Sequence, residues 1–450
     1  MQRKWDQTAD IVVIGAGTAG LCAAIEARKL GKSVIILEKM RDGEWRSSMS
    51  VIAGVLDFAG TKYQKERGIK DAPEKYAEDG VKYCGGLPDL WKAYTDNHLY
   101  NLELFEKLNL PPMGVIGGWG HSVARSHTFE GPKVLKVLED HAKELGAVIL
   151  WEHKVNDLVY DPEKGVLGVV ATHKNRELSF CGTRATMIAT GGFGRNKDLV
   201  LEFGPDYLAD AIPLMPPSHT GEGLLMALKL GAATRHIKHG PKASLPTCPD
   251  TEADTSIMYK GAIVVNKNGE RYIREDKWYG YISDEGSRQP EGKFYIIYDD
   301  AIREVTKREF PSWLRHKEYK GDTPEELAKS LGIDGKGLAA EMQKYNADAK
   351  AGRDTKFERS TLDGNVGVPI PLEKPPYYGM KCTISMTSFK GGIRIDTKSR
   401  ALDWSNKPIP KLYAIGEVSG GFFGAGRYIW GTMTVMSMTM AEIAARDAAK

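Results

Sequence analysis

The chain has 450 residues, room for two or three domains of the usual ~100–200 residues. Its 62 Lys and Arg against 59 Asp and Glu leave a net charge of +3, so charge singles out neither nucleic acid nor an anionic membrane surface as a partner. Five scattered cysteines (Cys22, Cys84, Cys181, Cys248, Cys382) argue against a disulfide framework, a Cys-rich zinc site or a Cys-ligated iron–sulfur cluster, and point to a reducing compartment.

Near the N-terminus, Arg3 and Lys4 precede an apolar stretch, as in a signal peptide. Asp6 and Asp10 interrupt it, and it reads instead as a strand and a helix. No run reaches the ~18–20 apolar residues of a membrane span, so the expectation is a soluble cytoplasmic protein.

The first informative segment is Asp10-Ile-Val-Val-Ile-Gly15-Ala-Gly17-Thr-Ala-Gly20, which leads into an Ala-rich helix. Ile11 to Ile14 reads as a strand buried on both faces, and Ser33-Val-Ile-Ile-Leu-Glu38 as the next parallel strand. This is the Gly-x-Gly-x-x-Gly fingerprint in its strand–turn–helix–strand context. Gly15 serves the tight turn, Gly17 lets a pyrophosphate approach the backbone, and Gly20 lets helix and strand pack closely. The helix N-terminus offers N–H donors to the phosphates. Glu38 is placed to accept from a ribose 2′-OH, which favours FAD or NAD over a 2′-phosphate.

Two later segments return to the same place. Met187-Ile-Ala-Thr190-Gly191-Gly192 is a strand running into a Gly turn, and Leu412-Tyr-Ala-Ile-Gly416-Glu417 is another. A turn holding Gly420, Gly421, Gly424 and Gly426, then a long Met/Ala-rich helix, completes the chain. Three returning segments suit the larger FAD better than NAD. The 49 glycines, where average usage of ~7 % would give about 32, concentrate in these turns.

Together with Thr220-Gly-Glu-Gly-Leu-Leu-Met-Ala, Gly261-Ala-Ile-Val-Val-Asn and Gly391-Gly-Ile-Arg-Ile-Asp396, these segments resemble the succinate dehydrogenase/fumarate reductase flavoprotein family, which includes the flavin-dependent 3-ketosteroid dehydrogenases. The resemblance implies an α/β fold: a discontinuous Rossmann-like FAD-binding domain (1–240 and 365–450) with an inserted α+β cap domain (241–364). It also implies cofactor contacts from Thr18, Ala19, Lys39, Ala53, Gly54, Val155, Gly431 and Thr432, beside the glycines and Glu38 above.

Respiratory members attach FAD to a His soon after the second strand. Ser48 stands at that position, so the resemblance implies non-covalent FAD, with Ser47, Ser48 and Ser50 as candidate contacts. The proton-delivering Arg of fumarate reducers is replaced by Tyr279, and Thr387-Ser388-Phe389-Lys390 stands where a substrate-binding His would precede the Gly pair. Only Arg427 matches a family Arg, and one Arg would neutralise a dicarboxylate poorly. The substitutions resemble the ketosteroid-dehydrogenase branch, although Arg427 and Trp430 depart from it.

The expected reaction adds or removes hydrogen across a C–C bond α,β to a carbonyl, in a cyclic ketone, an enone or an alicyclic keto acid. Tyr279 is the expected acid/base group, Tyr428 the donor to the carbonyl oxygen, and Arg427 its helper or a carboxylate binder. Lys277 and Arg274 are nearby in sequence to tune Tyr279. His121, Arg125 and His127 are further pocket candidates, with Trp119 and Trp430 as walls. The alternatives are a reductase of an unsaturated monocarboxylate and a flavin electron-transfer subunit. Expected partners are a small-molecule substrate and an external electron donor or acceptor, with no nucleic acid and no metal.

Overall fold

The computed structural model describes residues 4–50, 54–118, 120–238, 242–247, 255–309, 318–360, 369–424 and 427–450, the side chains of 242–247, 255–256 and 308–309 excepted. Ala53, Trp119, Cys248 and Gly426 lie outside the described residues.

Five parallel strands form the heart of an eight-stranded sheet, in the order Val148–Leu150, Val34–Leu37, Gln7–Ile14, Arg176–Ile188 and Pro408–Ala414. Register places Ile14 beside Leu37 on one side and Ile188 on the other. The C-terminal ends of three strands therefore open at one edge, the place where open α/β sheets bind ligands. Residues 11–14 are at most 4 % exposed, as a strand covered on both faces requires. The helices Thr18–Lys29 and Thr432–Ala448 pack together, and both carry many buried alanines, which allow close approach. An antiparallel meander, Lys154–Asp161 and Gly165–His173, extends the sheet from Arg176–Ile188. This is the α/β, Rossmann-like architecture expected.

A second, six-stranded sheet is built around one long strand, Tyr377–Phe389. It pairs antiparallel with Lys242–Thr247, Phe294–Asp299 and Tyr319–Gly321, and parallel with Ile212–Pro213. Ile263–Val265 completes that sheet beside Phe294–Asp299. Immediately beyond Phe389, Gly392–Arg394 joins Thr234–Arg235 and Ser419–Gly420 in a small three-stranded sheet. Residue 390 thus stands between the long strand Tyr377–Phe389 and this small sheet. Among the described residues no helix is long and apolar enough to cross a membrane.

Candidate active site

The strand ends frame an open cleft holding about 890 Å3 of empty space, the open solvent at its mouth included. Gly15, Gly17, Thr18, Ala19, Glu38, Lys39, Ser47, Ser48, Val155, Thr190, Gly191, Gly416 and Glu417 all line it. They come from the fingerprint turn, the second strand's end, the Ser-rich segment, the meander and both later Gly turns.

The three fingerprint glycines divide by cause. At Gly20 a Cβ would lie 2.0 Å from the carbonyl oxygen of Gly15. At Gly15, where φ is +109°, a Cβ would lie 2.5 Å from the carbonyl oxygen of Ala189. Both positions are closed by the protein's own backbone. At Gly17 the nearest atom is Ser47 Oγ at 3.8 Å, so that face is left open to the cleft. Gly17 also starts the helix Thr18–Lys29, which has no side-chain cap and no acid in its first turn. Its free N–H groups and positive end suit phosphate.

Glu38 is buried. One carboxylate oxygen accepts from the Ala16 N–H at 2.8 Å and the other from the Met40 N–H at 2.9 Å. Burial still raises its pKa above the usual carboxylate range, against those bonds. Lys39 donates to Thr220 Oγ1 at 2.6 Å and pairs with Glu222 at 2.8 Å, tying the second strand to the helix Glu222–Lys229. Three buried polar atoms on cleft-lining residues have no partner: Ser48 Oγ, Thr190 Oγ1 and His219 Nδ1. Buried polar atoms are normally satisfied, so these mark where a polar ligand completes the structure. An open glycine, a free helix end, a carboxylate at the second strand and unmet hydrogen bonds deeper in the cleft together fit FAD.

Sequence reasoning missed several cleft residues. Arg46 donates to the Ala16 carbonyl at 3.1 Å, pairs with buried Glu139, and stacks 4.9 Å from the Trp151 ring. His153, Ser218, His219, Glu222, Met226, Met433 and Ser437 also line the cleft. His219 sits on Gly191, where a Cβ would be 2.4 Å from its Nε2, and Glu417 sits on Gly192, where a Cβ would be 2.3 Å from its Oε1. The Gly191–Gly192 pair thus makes room for two side chains. His219 Nδ1 lies 3.8 Å from Glu417 Oε2. Burial, helped by Lys39 and Arg195, pushes His219 down to about 3, so the ring is neutral.

Other expected contacts stand outside the cleft lining: Gly20, Ser50, Gly54, Gly192, Gly431 and Thr432. At Gly54 a Cβ would lie 1.8 Å from the carbonyl oxygen of Phe129. Gly431 and Thr432 close on Asp57: a Cβ at Gly431 would lie 2.3 Å from its Oδ1, and Thr432 Oγ1 donates to its Oδ2 at 2.9 Å. Asp57 also accepts from Ser126 at 2.8 Å and Tyr76 at 3.2 Å. His121, Arg125 and His127 stand outside the lining of this cleft. They belong to this polar floor, where Arg125 pairs with Asp71 at 2.7 Å and Asp79 at 2.9 Å, and His121 Nε2 lies 3.1 Å from Asp57.

The two tyrosines do come together. Tyr279 starts the helix Tyr279–Ser287, Tyr428 precedes the C-terminal helix, and both are buried with ring centroids 6.4 Å apart. The Tyr428 hydroxyl accepts from the Met433 N–H at 3.4 Å, at the edge of the cleft. Burial raises both phenols well above their ordinary range, so both are protonated at neutral pH.

The expected helpers lie elsewhere. Arg274 is held by Asp276 at 2.7 Å and Lys277 is exposed. Arg427 is exposed too, its guanidinium 5.6 Å from the Tyr83 ring. The cation beside the tyrosines is Lys390, 7 % exposed, with Nζ 4.6 Å from the Tyr428 ring centroid. Burial brings Lys390 down to about 8 and pushes Glu417 up to about 7. Two anchors fix its backbone. A Cβ at Gly391 would lie 2.3 Å from the His236 carbonyl oxygen, and one at Gly392 would lie 2.0 Å from that of Val418.

Comparison with known proteins agrees with this geometry. The profile of a family described as an FAD binding domain matches residues 10–428. A probable fumarate reductase of Shewanella frigidimarina is 31 % identical, over 99 % of this chain and 75 % of its own length. A urocanate reductase of Eggerthella lenta is 30 % identical, over 93 % of this chain and 71 % of its own. The crystal structure of a 3-ketosteroid Δ4-(5α)-dehydrogenase from Rhodococcus jostii superposes with a TM-score of 0.79 at 25 % identity, covering 99 % and 98 % of the two chains. With the cleft's donors and glycines on the strand ends of a Rossmann-like sheet, the chain belongs to the FAD-binding flavoprotein family of the fumarate reductases and ketosteroid dehydrogenases, and is a flavin-dependent oxidoreductase.

Proposed function

We propose that this enzyme reduces a C=C bond conjugated to a carbonyl or carboxyl group, with Tyr279 delivering the proton. Bound FAD would supply the hydride; the remaining work falls to the protein. The observation that carries the reading is the buried Tyr279–Tyr428 pair, with rings 6.4 Å apart and Tyr428 hydrogen-bonded to the cleft-lining Met433. Fumarate reducers place an Arg at the position of Tyr279.

Burial favours the neutral phenol, and a neutral phenol donates a proton. In reduction Tyr279 Oη would give its proton to the α-carbon as the β-carbon gains hydride, and the phenolate left behind, which burial disfavours, would regain a proton from solvent before the next turnover. Tyr428 Oη donates to the carbonyl oxygen, where negative charge develops, while its own oxygen is held by the Met433 N–H. Trp278 and Phe423 surround the pair and exclude water, which strengthens these hydrogen bonds. Gly17, the helix N-terminus, Glu38, Ser48 and Thr190 would hold FAD without a covalent link. Electrons would come from an external donor.

The test is anaerobic. Holoenzyme reduced with dithionite is mixed with α,β-unsaturated acids and ketones, and flavin reoxidation is followed. Reoxidation is expected, and Tyr428→Phe should slow it without loss of bound flavin. Bleaching of the oxidised flavin by saturated ketones, with no reoxidation by any unsaturated compound, would reverse the assigned direction.

A further inference from the structure

We propose that Lys390 is the substrate-binding cation of this site, and that it selects α,β-unsaturated compounds carrying one carboxylate over their neutral counterparts. The inference rests on the reading above and names its substrate class.

Lys390 is buried, and among the described residues no carboxylate lies within 4.0 Å of its Nζ. Its nearest assigned contact is the face of Tyr428, at 4.6 Å from the centroid. The carboxylate that acts on it from further away is Glu417, which burial pushes towards its neutral form and which lies against Gly192 and His219 instead. A buried ammonium without a close anion is costly, so its natural complement is an anion that arrives with the substrate.

The other cations are spoken for or misplaced. Arg46 is paired with Glu139, Lys39 with Glu222, and Arg274 with Asp276. Arg195 donates to the Met215 carbonyl oxygen at 2.8 Å. Arg427 is exposed on Tyr83. Lys390, by contrast, stands at the end of the long strand Tyr377–Phe389, followed by Gly391 and Gly392, which pack tightly on neighbouring backbone. A carboxylate bound there would lie beside the Tyr428 ring, which places the conjugated double bond towards Tyr279. One such cation matches one carboxylate, so a dicarboxylate leaves its second charge unmet.

The experiment titrates oxidised holoenzyme with crotonate, cinnamate and their amides, reading the perturbation of the visible flavin band at pH 7. Wild type should bind each acid at least tenfold more tightly than its amide. Lys390→Met should weaken the acids at least tenfold and leave the amides within twofold. Lys390→Arg, which keeps the charge, should retain the preference, and Arg427→Ala should leave both series within twofold of wild type. Equal binding of acids and amides by wild type, no spectral change with either, or an acid preference surviving in Lys390→Met would overturn the assignment. Loss of the preference in Arg427→Ala would move the role to that residue. Because this readout is binding to oxidised flavin, it is separate from the function itself. If bound acids fail to reoxidise reduced flavin, the reductase reading falls while the Lys390 preference stands.

Discussion

The two ends of the site are built on different principles. The dinucleotide end is made of backbone: glycines closed by neighbouring carbonyls, a helix N-terminus and parallel strands in register. The proposed reacting end is made of side chains drawn from three segments of the chain, at residues 279, 390 and 428, which the fold brings together. A backbone site tolerates no added atom, whereas a side-chain site keeps its shape when one functional atom is removed. Breaking the first should therefore abolish the holoenzyme, and breaking the second should change chemistry alone.

The largest effect is expected at Gly20→Ala. Its Cβ would fall 2.0 Å from the carbonyl oxygen of Gly15, so overpacking should cost about 2–3 kcal/mol and eject the cofactor. Flavin stoichiometry after purification and the urea midpoint report both losses. Gly17→Ala is the control, since its Cβ meets nothing closer than 3.8 Å. It should shift stability by less than about 1 kcal/mol while weakening FAD, which separates steric closure from ligand approach.

At the reacting end, Tyr279→Phe should keep full flavin content and lower the rate of flavin reoxidation by about 100-fold or more, the usual contribution of a positioned acid. Single-turnover stopped flow measures it. A smaller change would show that the proton comes from elsewhere. Glu38→Gln returns to the dinucleotide end: with the charge gone, FAD affinity should fall about tenfold with the fold intact, as isothermal titration of apoprotein would show.

The smallest predicted effect concerns the floor. His98 Nε2 accepts from the Ala59 N–H at 2.8 Å while Nδ1 lies 2.7 Å from the Thr95 carbonyl oxygen, so the buried ring is held neutral. Burial depresses its pKa from 6.5 to about 4. Between those values the unfolded chain binds more protons than the folded one, so stability falls as pH drops through that window. His98 should contribute about 1–2 kcal/mol of the stability lost by pH 5, beside His127 and His219, which burial depresses in the same way, and the slope should lessen in His98→Gln, as melting temperatures from pH 7 to 5 would reveal.

Much of the dinucleotide end was legible in the sequence because its determinants are local. A β-branched run, glycines at fixed spacing and an acid after the next strand specify backbone shapes that need few distant partners. Its side-chain lining was less legible. Arg46, His153 and His219 carry no spacing signal, and His219 could be noticed only by asking what the Gly191–Gly192 pair makes room for. At the reacting end, the family's motif pointed to Tyr279 and Tyr428, and the fold brings them together. The burial of the charges was not legible: Arg427, expected beside the substrate, is exposed over the Tyr83 ring, while Lys390, which carries no motif signal, is buried against Tyr428.

The sequence by itself determined the sheet's central strands, the helix that faces the cofactor's phosphates and the cofactor class, since periodicity and glycine spacing act over a few residues. Only the tertiary structure decided which charges are buried. Lys390 and Arg427 are both cations near glycine pairs in the chain, and they differ in whether packing encloses them. That is a property of the long strand Tyr377–Phe389 meeting the segment around Tyr428, and no local pattern encodes it.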